Sequence, residues 1–296
     1  MDHYLDLITK TYANTWSYMI DQIAHPHWRN YFWALIAISL ATWTAELLVP
    51  WRRDQPRLRE GFWTDAVYMF INFFGFALVG FAAVSEVAVD LWTRFLASLG
   101  FDNIVAIEVR SWPVWAQLLT MFVIADFVQW NIHRLLHRVP WLWTFHQVHH
   151  STRQMGFAAH LRFHWMEIVV YKTLQYVPLA MIGFGLQDFF VVHMIATAIG
   201  HLNHANLRLT YGPLRYVLNN PVMHVWHHAR DLPPDRPFGM NFGITLSVWD
   251  YLFGTAAIPG DGRDIRLGFP GDDDMPNNLA AQLVHPLATK RRRAAR

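Results

Sequence analysis

The chain has 296 residues, of which 53% are hydrophobic and 16% charged, with no cysteine and a net charge of +2. An average soluble domain carries roughly 25% charged residues, so the composition points to an integral membrane protein and away from a soluble globular one. The absence of cysteine excludes disulfides, thiolate-ligated haem, iron–sulfur clusters and cysteine zinc sites, and so small a net charge implies no nucleic-acid partner.

In chain order, the opening MDHYLDLITK lacks the basic n-region of a signal peptide, so none is expected. Residues 1–30 mix polar and apolar positions and read as an interfacial helix. A first membrane span is expected over 31–51, close to the ~20 residues that a bilayer core requires. Its one acid, Glu46, lies near the end, where an interfacial position suits it. RRDQPRLREG follows, with four arginines in ten residues. A second span is expected over 67–89 and a third over 114–130. The apolar region 167–200 is broken by Pro178 and by Gly183 and Gly185. It reads as two segments returning to one side, or as one kinked span with a re-entrant piece. From 201 the chain is polar and ends in KRRRAAR; no repeat and no separate soluble domain is visible. The expected fold is an all-α integral membrane protein, with about four transmembrane helices under a cytoplasmic histidine-rich helical cap.

Arginine placement sets the orientation. Residues 52–59 and the terminal KRRR are both basic, and the positive-inside rule puts both in the cytoplasm. The second span then leaves and the third returns, which brings residues 133–164 to the cytoplasmic side. A hairpin over 167–200 returns residues 201–228 and the C-terminus to that same side.

Of the 17 histidines, 13 lie between positions 133 and 228. HRLLH presents His133 and His137 on one helical face, and HQVHH and HVWHH each gather three imidazoles (His146, His149, His150 and His224, His227, His228). HLRFH adds His160 and His164, and HLNH adds His201 and His204. A lone HxxxH is a weak signal, since an interfacial pair has the same spacing. The doubled HxxHH is specific, because three adjacent imidazoles repel when protonated and serve no packing purpose. Eight histidines in three ordered motifs are about what two metal ions need. Imidazole suits Zn, Cu, Fe and Ni alike. No glutamate has a histidine three residues on, as carboxylate di-iron bundles require, and there is no HExxH.

The order HxxxH, HxxHH, HxxHH resembles the fatty acid hydroxylase/sterol desaturase superfamily of membrane di-iron oxidases. ADFVQWNIHRLLHRVPWLWTFHQVHHS is similar to the family's core, including Asp126 seven residues before His133 and so on its helical face. LRFHWMEI resembles its Arg-x-His-x-x-Glu element (Arg162, His164, Glu167). NHANLRLTYGPLRYVLNNPVMHVWHH resembles its His-x-Asn element (His204, Asn206) running into the last histidine motif. NFGITLSVWDYLFGT is similar to its closing segment, with Trp249, Asp250, Phe253 and Gly254. On this resemblance the chain divides into an N-terminal membrane region (1–113), a catalytic domain (114–255) and a polar cytoplasmic tail (256–296).

The resemblance implies O2-dependent hydroxylation or desaturation of a lipid C–H bond, the lipid being a sterol or hopanoid, carotenoid, fatty acyl chain or ether lipid. It implies two iron ions, whose sites zinc can occupy in a purified sample, held by His133, His137, His146, His149, His150, His164, His204, His224, His227 and His228. Asp126, Glu167 and Asp250 are the carboxylates expected to fix imidazole tautomers by hydrogen bonds. His160 and His201 match the family less and suit supporting or structural roles. His193, inside an apolar run, reads as a satisfied membrane histidine. No haem or flavin motif is fused, so electrons are expected from a separate ferredoxin, cytochrome or reductase. Two rivals are a metal transporter, which needs ligands along a path within the spans, and a di-zinc hydrolase.

Overall fold

A computed structural model of the chain describes residues 2–27, 30–72, 74–75, 81–100, 109–181 and 186–287. Its α-helices are α1 (Asp2–Ala24), α2 (Tyr31–Leu48), α3 (Phe62–Phe70), α4 (Phe81–Ser98), α5 (Val114–Arg138), α6 (Pro140–His150), α7 (Trp165–Met181), α8 (Leu186–His204), α9 (Pro221–His227), α10 (Val248–Leu252) and α11 (Leu279–Leu283), and most of the chain after α8 is turns and irregular segments. No strand forms among the described residues, which contain two isolated bridges, Leu218 to Leu246 and Ala229 to Leu267.

Local chemistry sets the helix ends around the histidines. Pro140 opens α6 at its first turn, where a missing N–H costs nothing. Asn220 caps α9 by accepting from the Met223 N–H at 3.0 Å, with Pro221 next to it. Helix α5 packs on α6, α7 and α8, while α8 packs on α2 and α9. Three apolar clusters surround this junction. Phe62, Met69, Phe157 and Leu207 form one, Met121, Ala125, Leu179 and Val192 a second, and Trp51, Met155, Val225 and Leu267 a third.

Among the described residues one helix, Tyr31–Leu48, is long and apolar enough to cross a membrane. The other expected spans are interrupted by polar side chains. Helix α5 carries Gln117, Asp126, Gln129 and Asn131, α8 carries Asp188 and His193, and α7 is 17 residues long with Glu167 and Lys172. The expected span 67–89 includes positions outside the description, as do Gly183, Gly185 and the terminal KRRRAAR.

Glu46, expected at a membrane edge, points inward instead. Its Oε1 accepts the Phe157 N–H at 2.9 Å and the Asn206 N–H at 2.7 Å, joining two turns that flank the histidines. Behind it, Arg59 and Arg162 both pair with the buried Asp65, tying the arginine-rich loop to the LRFH segment.

Candidate metal centre

Nine histidines, the eight of the HxxxH and two HxxHH motifs together with His204, fall into two groups. His133, His137, His146, His150 and His227 form one, and His149, His204, His224 and His228 the other. Within each group one ligand atom per residue lies within 4.8 Å of every other. At about 100° per helical residue, positions i and i+4 stay close in angle while i+3 falls to the other side. In α6 the pair His146 and His150 therefore serves the first group and His149 the second. In α9 the pair His224 and His228 serves the second group and His227 the first. The groups touch where His150 stacks on His228, 4.5 Å between ring centres.

The donor geometry fits metal ions. Nε2 of His133 lies 3.1 Å from Nε2 of His146, and Nε2 of His204 lies 3.0 Å from that of His224 and 3.3 Å from that of His149. Two nitrogens on one metal at about 2.0–2.1 Å stand roughly 3.0–3.4 Å apart, depending on coordination angle. Nε2 of His137, His150 and His227 and both ring nitrogens of His228 are buried with no hydrogen-bond partner among the described residues. Leaving such groups unsatisfied is costly, and a bound metal removes that cost at one nitrogen of each imidazole.

Outer hydrogen bonds aim the rings. His133 donates Nδ1–H to the Phe242 carbonyl at 2.7 Å, His227 to Met240 at 2.8 Å, and His204 to Gly200 at 2.8 Å. His146 Nδ1 lies 2.6 Å from Oε2 of Glu167, both groups buried. Each bond holds the proton on Nδ1 and leaves the Nε2 lone pair for a metal. Burial, then neighbouring histidines, pushes the imidazoles of His146, His149, His150, His224 and His228 well below their ordinary range. Burial brings His133 down to about 4 and His204 to about 3. The cluster is neutral and ligand-ready at neutral pH.

His164 is placed outside both groups, because both of its ring nitrogens are engaged elsewhere. Nδ1 accepts the Met166 N–H at 3.1 Å as the N-cap of α7, and Nε2–H donates to the Leu283 carbonyl at 2.9 Å. Glu167 completes a reciprocal cap by accepting the His164 N–H at 3.1 Å.

Of the three carboxylates, Glu167 alone meets a histidine directly. Asp250 receives the Phe242 N–H at 2.9 Å, the Gly243 N–H at 2.7 Å and Trp130 Nε1–H at 3.0 Å, so it reaches His133 through the Phe242 peptide. Asp126 receives Trp249 Nε1–H at 2.9 Å and the Leu246 N–H at 3.3 Å, and so holds the same loop rather than an imidazole. His160 and His201 pair through Nδ1 atoms 2.9 Å apart, and His201 Nε2 lies 3.1 Å from Ser39 Oγ. His193 stacks on Tyr31, with 5.1 Å between ring centres.

Several participants carry no obvious sequence signal. The carbonyls of Phe242, Met240 and Gly200 act as backbone groups. Gly200 is also a close approach, since a Cβ there would stand 2.2 Å from His160 Nε2. Trp143 packs on His137 at 5.0 Å and on His150 at 5.2 Å. Its spacing three and seven residues before His146 and His150 could have marked it. Beside the four-histidine group lies a cavity of about 130 Å³, walled by Met69, Met121, Phe122, Phe163, Ile168 and Val192 among others. Phe163 stacks on His149 with ring centres 4.9 Å apart, which puts the cavity against that group.

Residues 118–255 match the family model described as fatty acid hydroxylase. The chain is 32% identical over 183 residues to the ornithine lipid hydroxylase OlsE of Rhizobium tropici, covering 62% of this chain and 54% of that protein. It is 27% identical over 217 residues to the alkylglycerol monooxygenase of Xenopus tropicalis, covering 71% and 44% respectively. It is 28% identical over 143 residues to the very-long-chain aldehyde decarbonylase GL1-10 of Oryza sativa subsp. japonica, covering 47% and 46%. The chain thus spans about half the length of these relatives. No solved structure matches it.

Proposed function

We propose, from the match of residues 118–255 to the fatty acid hydroxylase model, that the chain is a member of that superfamily and a membrane non-haem di-iron oxidase that hydroxylates or desaturates a lipid. The observation that carries this reading is the division of nine buried histidines into neighbouring sets of five and four. When bound there, two irons supply the reduction of O2 with external electrons and the oxidation of an unactivated C–H bond. For hydroxylation, one C–H bond, O2, two electrons and two protons give the alcohol and water.

The chain's own residues have three tasks. The five-histidine set holds one ion and the four-histidine set the other, with one fewer protein donor beside the cavity. Glu167, Asp250 and the carbonyls of Phe242, Met240 and Gly200 keep the imidazoles in the tautomer that ligation needs. The apolar walls of the cavity exclude water and hold the lipid segment that carries the target carbon. Relatives named as hydroxylases and monooxygenases of lipids support the lipid substrate.

The test supplies purified, iron-loaded protein with O2, candidate lipids and a reductase–ferredoxin system, following product by mass spectrometry. The reading expects oxidised lipid dependent on O2 and on the donor. Sustained conversion without donor, or with zinc as the only metal, would instead favour hydrolysis. The proposed orientation places the histidines and C-terminus in the cytoplasm. Reporter fusions after residues 55 and 150 should therefore read cytoplasmic and one near residue 100 the opposite side; an external signal at 150 would contradict it.

A further inference from the structure

The cavity beside the four-histidine group is apolar along most of its wall, yet among the described residues three buried polar atoms of wall residues have no hydrogen-bond partner: Oδ1 of Asn72, the hydroxyl of Tyr171 and Oγ1 of Thr245. Thr245 lies beside the Asp126 carboxylate, which leaves Asn72 and Tyr171 as the pair without a polar side chain to turn to. The Asn72 amide cannot turn to exchange its ends. Its Nδ2 donates to the Leu161 carbonyl at 3.2 Å and to the Phe163 carbonyl at 2.5 Å, so Oδ1 is committed as an acceptor. Tyr171 packs its ring against Phe163, 6.4 Å between centres, and Phe163 stacks on His149. A fixed acceptor, anchored on the Phe163 carbonyl, and a phenolic donor, packed on the Phe163 ring, therefore lie beside the residue that stands between the cavity and His149.

Buried polar groups are nearly always satisfied, and where the protein offers no partner ordered water or a bound ligand supplies it, so a ligand that displaces that water must replace its hydrogen bonds. A plain hydrocarbon segment, an ester or an ether has no proton for Asn72 Oδ1. A hydroxyl can donate to Asn72 and accept from Tyr171, and an amide can do the same with its N–H and its carbonyl. Building on the oxidase reading above, we infer that the lipid taken into this cavity carries a hydroxyl or amide within a few bonds of the oxidised carbon, read by Asn72 and Tyr171. The cavity volume of about 130 Å³ is close to the ~150 Å³ of an engineered cavity that takes a benzene ring. It accommodates that polar-linked segment, with the remaining alkyl chain outside. Selection then acts at the polar linkage, not at a methylene count along a chain.

The experiment measures lipid affinity and turnover on one preparation of the full chain, iron-loaded and held in nanodiscs. The probes are two pairs: 1-O-hexadecylglycerol with its 2,3-di-O-methyl ether, and an N-hexadecanoyl amide with its N-methyl form. Removing one hydrogen bond to a buried acceptor should weaken binding about five- to tenfold. In the wild type, capping should have that effect in the pair whose group is the natural one, which identifies hydroxyl or amide. Tyr171→Phe, which breaks no bond within the protein, should weaken the uncapped lipid by a similar factor and leave discrimination by Asn72 in place. Equal affinity for capped and uncapped members of both pairs would overturn the inference, even if all four lipids were oxidised. Discrimination by binding with no oxidation of any lipid would sustain it while refuting the oxidase reading.

Discussion

Glu167→Gln is the sharpest single perturbation of the metal centre. In the wild type Oε2 meets His146 Nδ1 at 2.6 Å while Oε1 accepts the His164 N–H at 3.1 Å. Glutamine offers one oxygen and one NH2. If the oxygen stays on the helix cap, the NH2 faces the Nδ1–H of His146, and two donors confront each other. Relief requires the proton to move to Nε2, the atom that lies 3.1 Å from His133 Nε2 and must ligate. If the amide turns the other way, the NH2 faces the His164 N–H and the first turn of α7 loses its cap. Losing such an outer hydrogen bond costs about 10- to 100-fold in metal affinity, or about 1.4–2.7 kcal/mol. Chelator competition on the purified iron-loaded variant reads this directly, with Asp126→Asn as the comparison because Asp126 touches no imidazole. Wild-type metal affinity in Glu167→Gln would refute the claim that this carboxylate fixes the His146 tautomer.

Replacing His149 or His228 with Ala should abolish lipid oxidation and remove the ion of the four-histidine set while the five-histidine set keeps its own. Metal analysis of the variants checks this, and His3→Ala, far from the centre, should change neither quantity. The metal-free protein should lose stability as pH falls from about 6.5, the unfolded value, towards the folded values of about 4 for His133 and 3 for His204. The sign follows because the unfolded chain takes up protons that the folded one refuses. Thermal unfolding at pH 7 and pH 5 should show the drop, and a flat profile would contradict neutral buried imidazoles. Asp65→Ala leaves the guanidinium groups of Arg59 and Arg162 buried and unpaired, and should cost about 3–5 kcal/mol. Denaturant unfolding measures that loss, and a change under 1 kcal/mol would argue against a structural role for the triad.

The histidines were legible because their signal is local. Spacings of three and four residues on short helices determine which imidazoles share a face, and the doubled HxxHH could serve little else. Their sorting into sets of five and four was not legible, since it depends on how α6 and α9 face each other across α5 and α8. His164 shows the limit of motif matching. It sits in the LRFH segment that resembles the family, yet the start of α7 captures its Nδ1 as a cap. Asp126 likewise lies on the His133 face by spacing, but the N–H groups of Leu246 and Trp249 reach it first. The carbonyls of Phe242, Met240 and Gly200 could not have been found, because a backbone acceptor leaves no mark on the residue type. The four expected spans came from apolar runs, and polar side chains within α5 and α8 together with the 17-residue length of α7 leave one described helix meeting that description outright.

The most direct test of the account is Mössbauer spectroscopy with metal quantitation on protein loaded with iron-57 and supplied with no zinc. The account predicts two irons per chain in an exchange-coupled pair, with His228→Ala reduced to one uncoupled iron. A single iron in the wild type, or two irons without coupling, would contradict it.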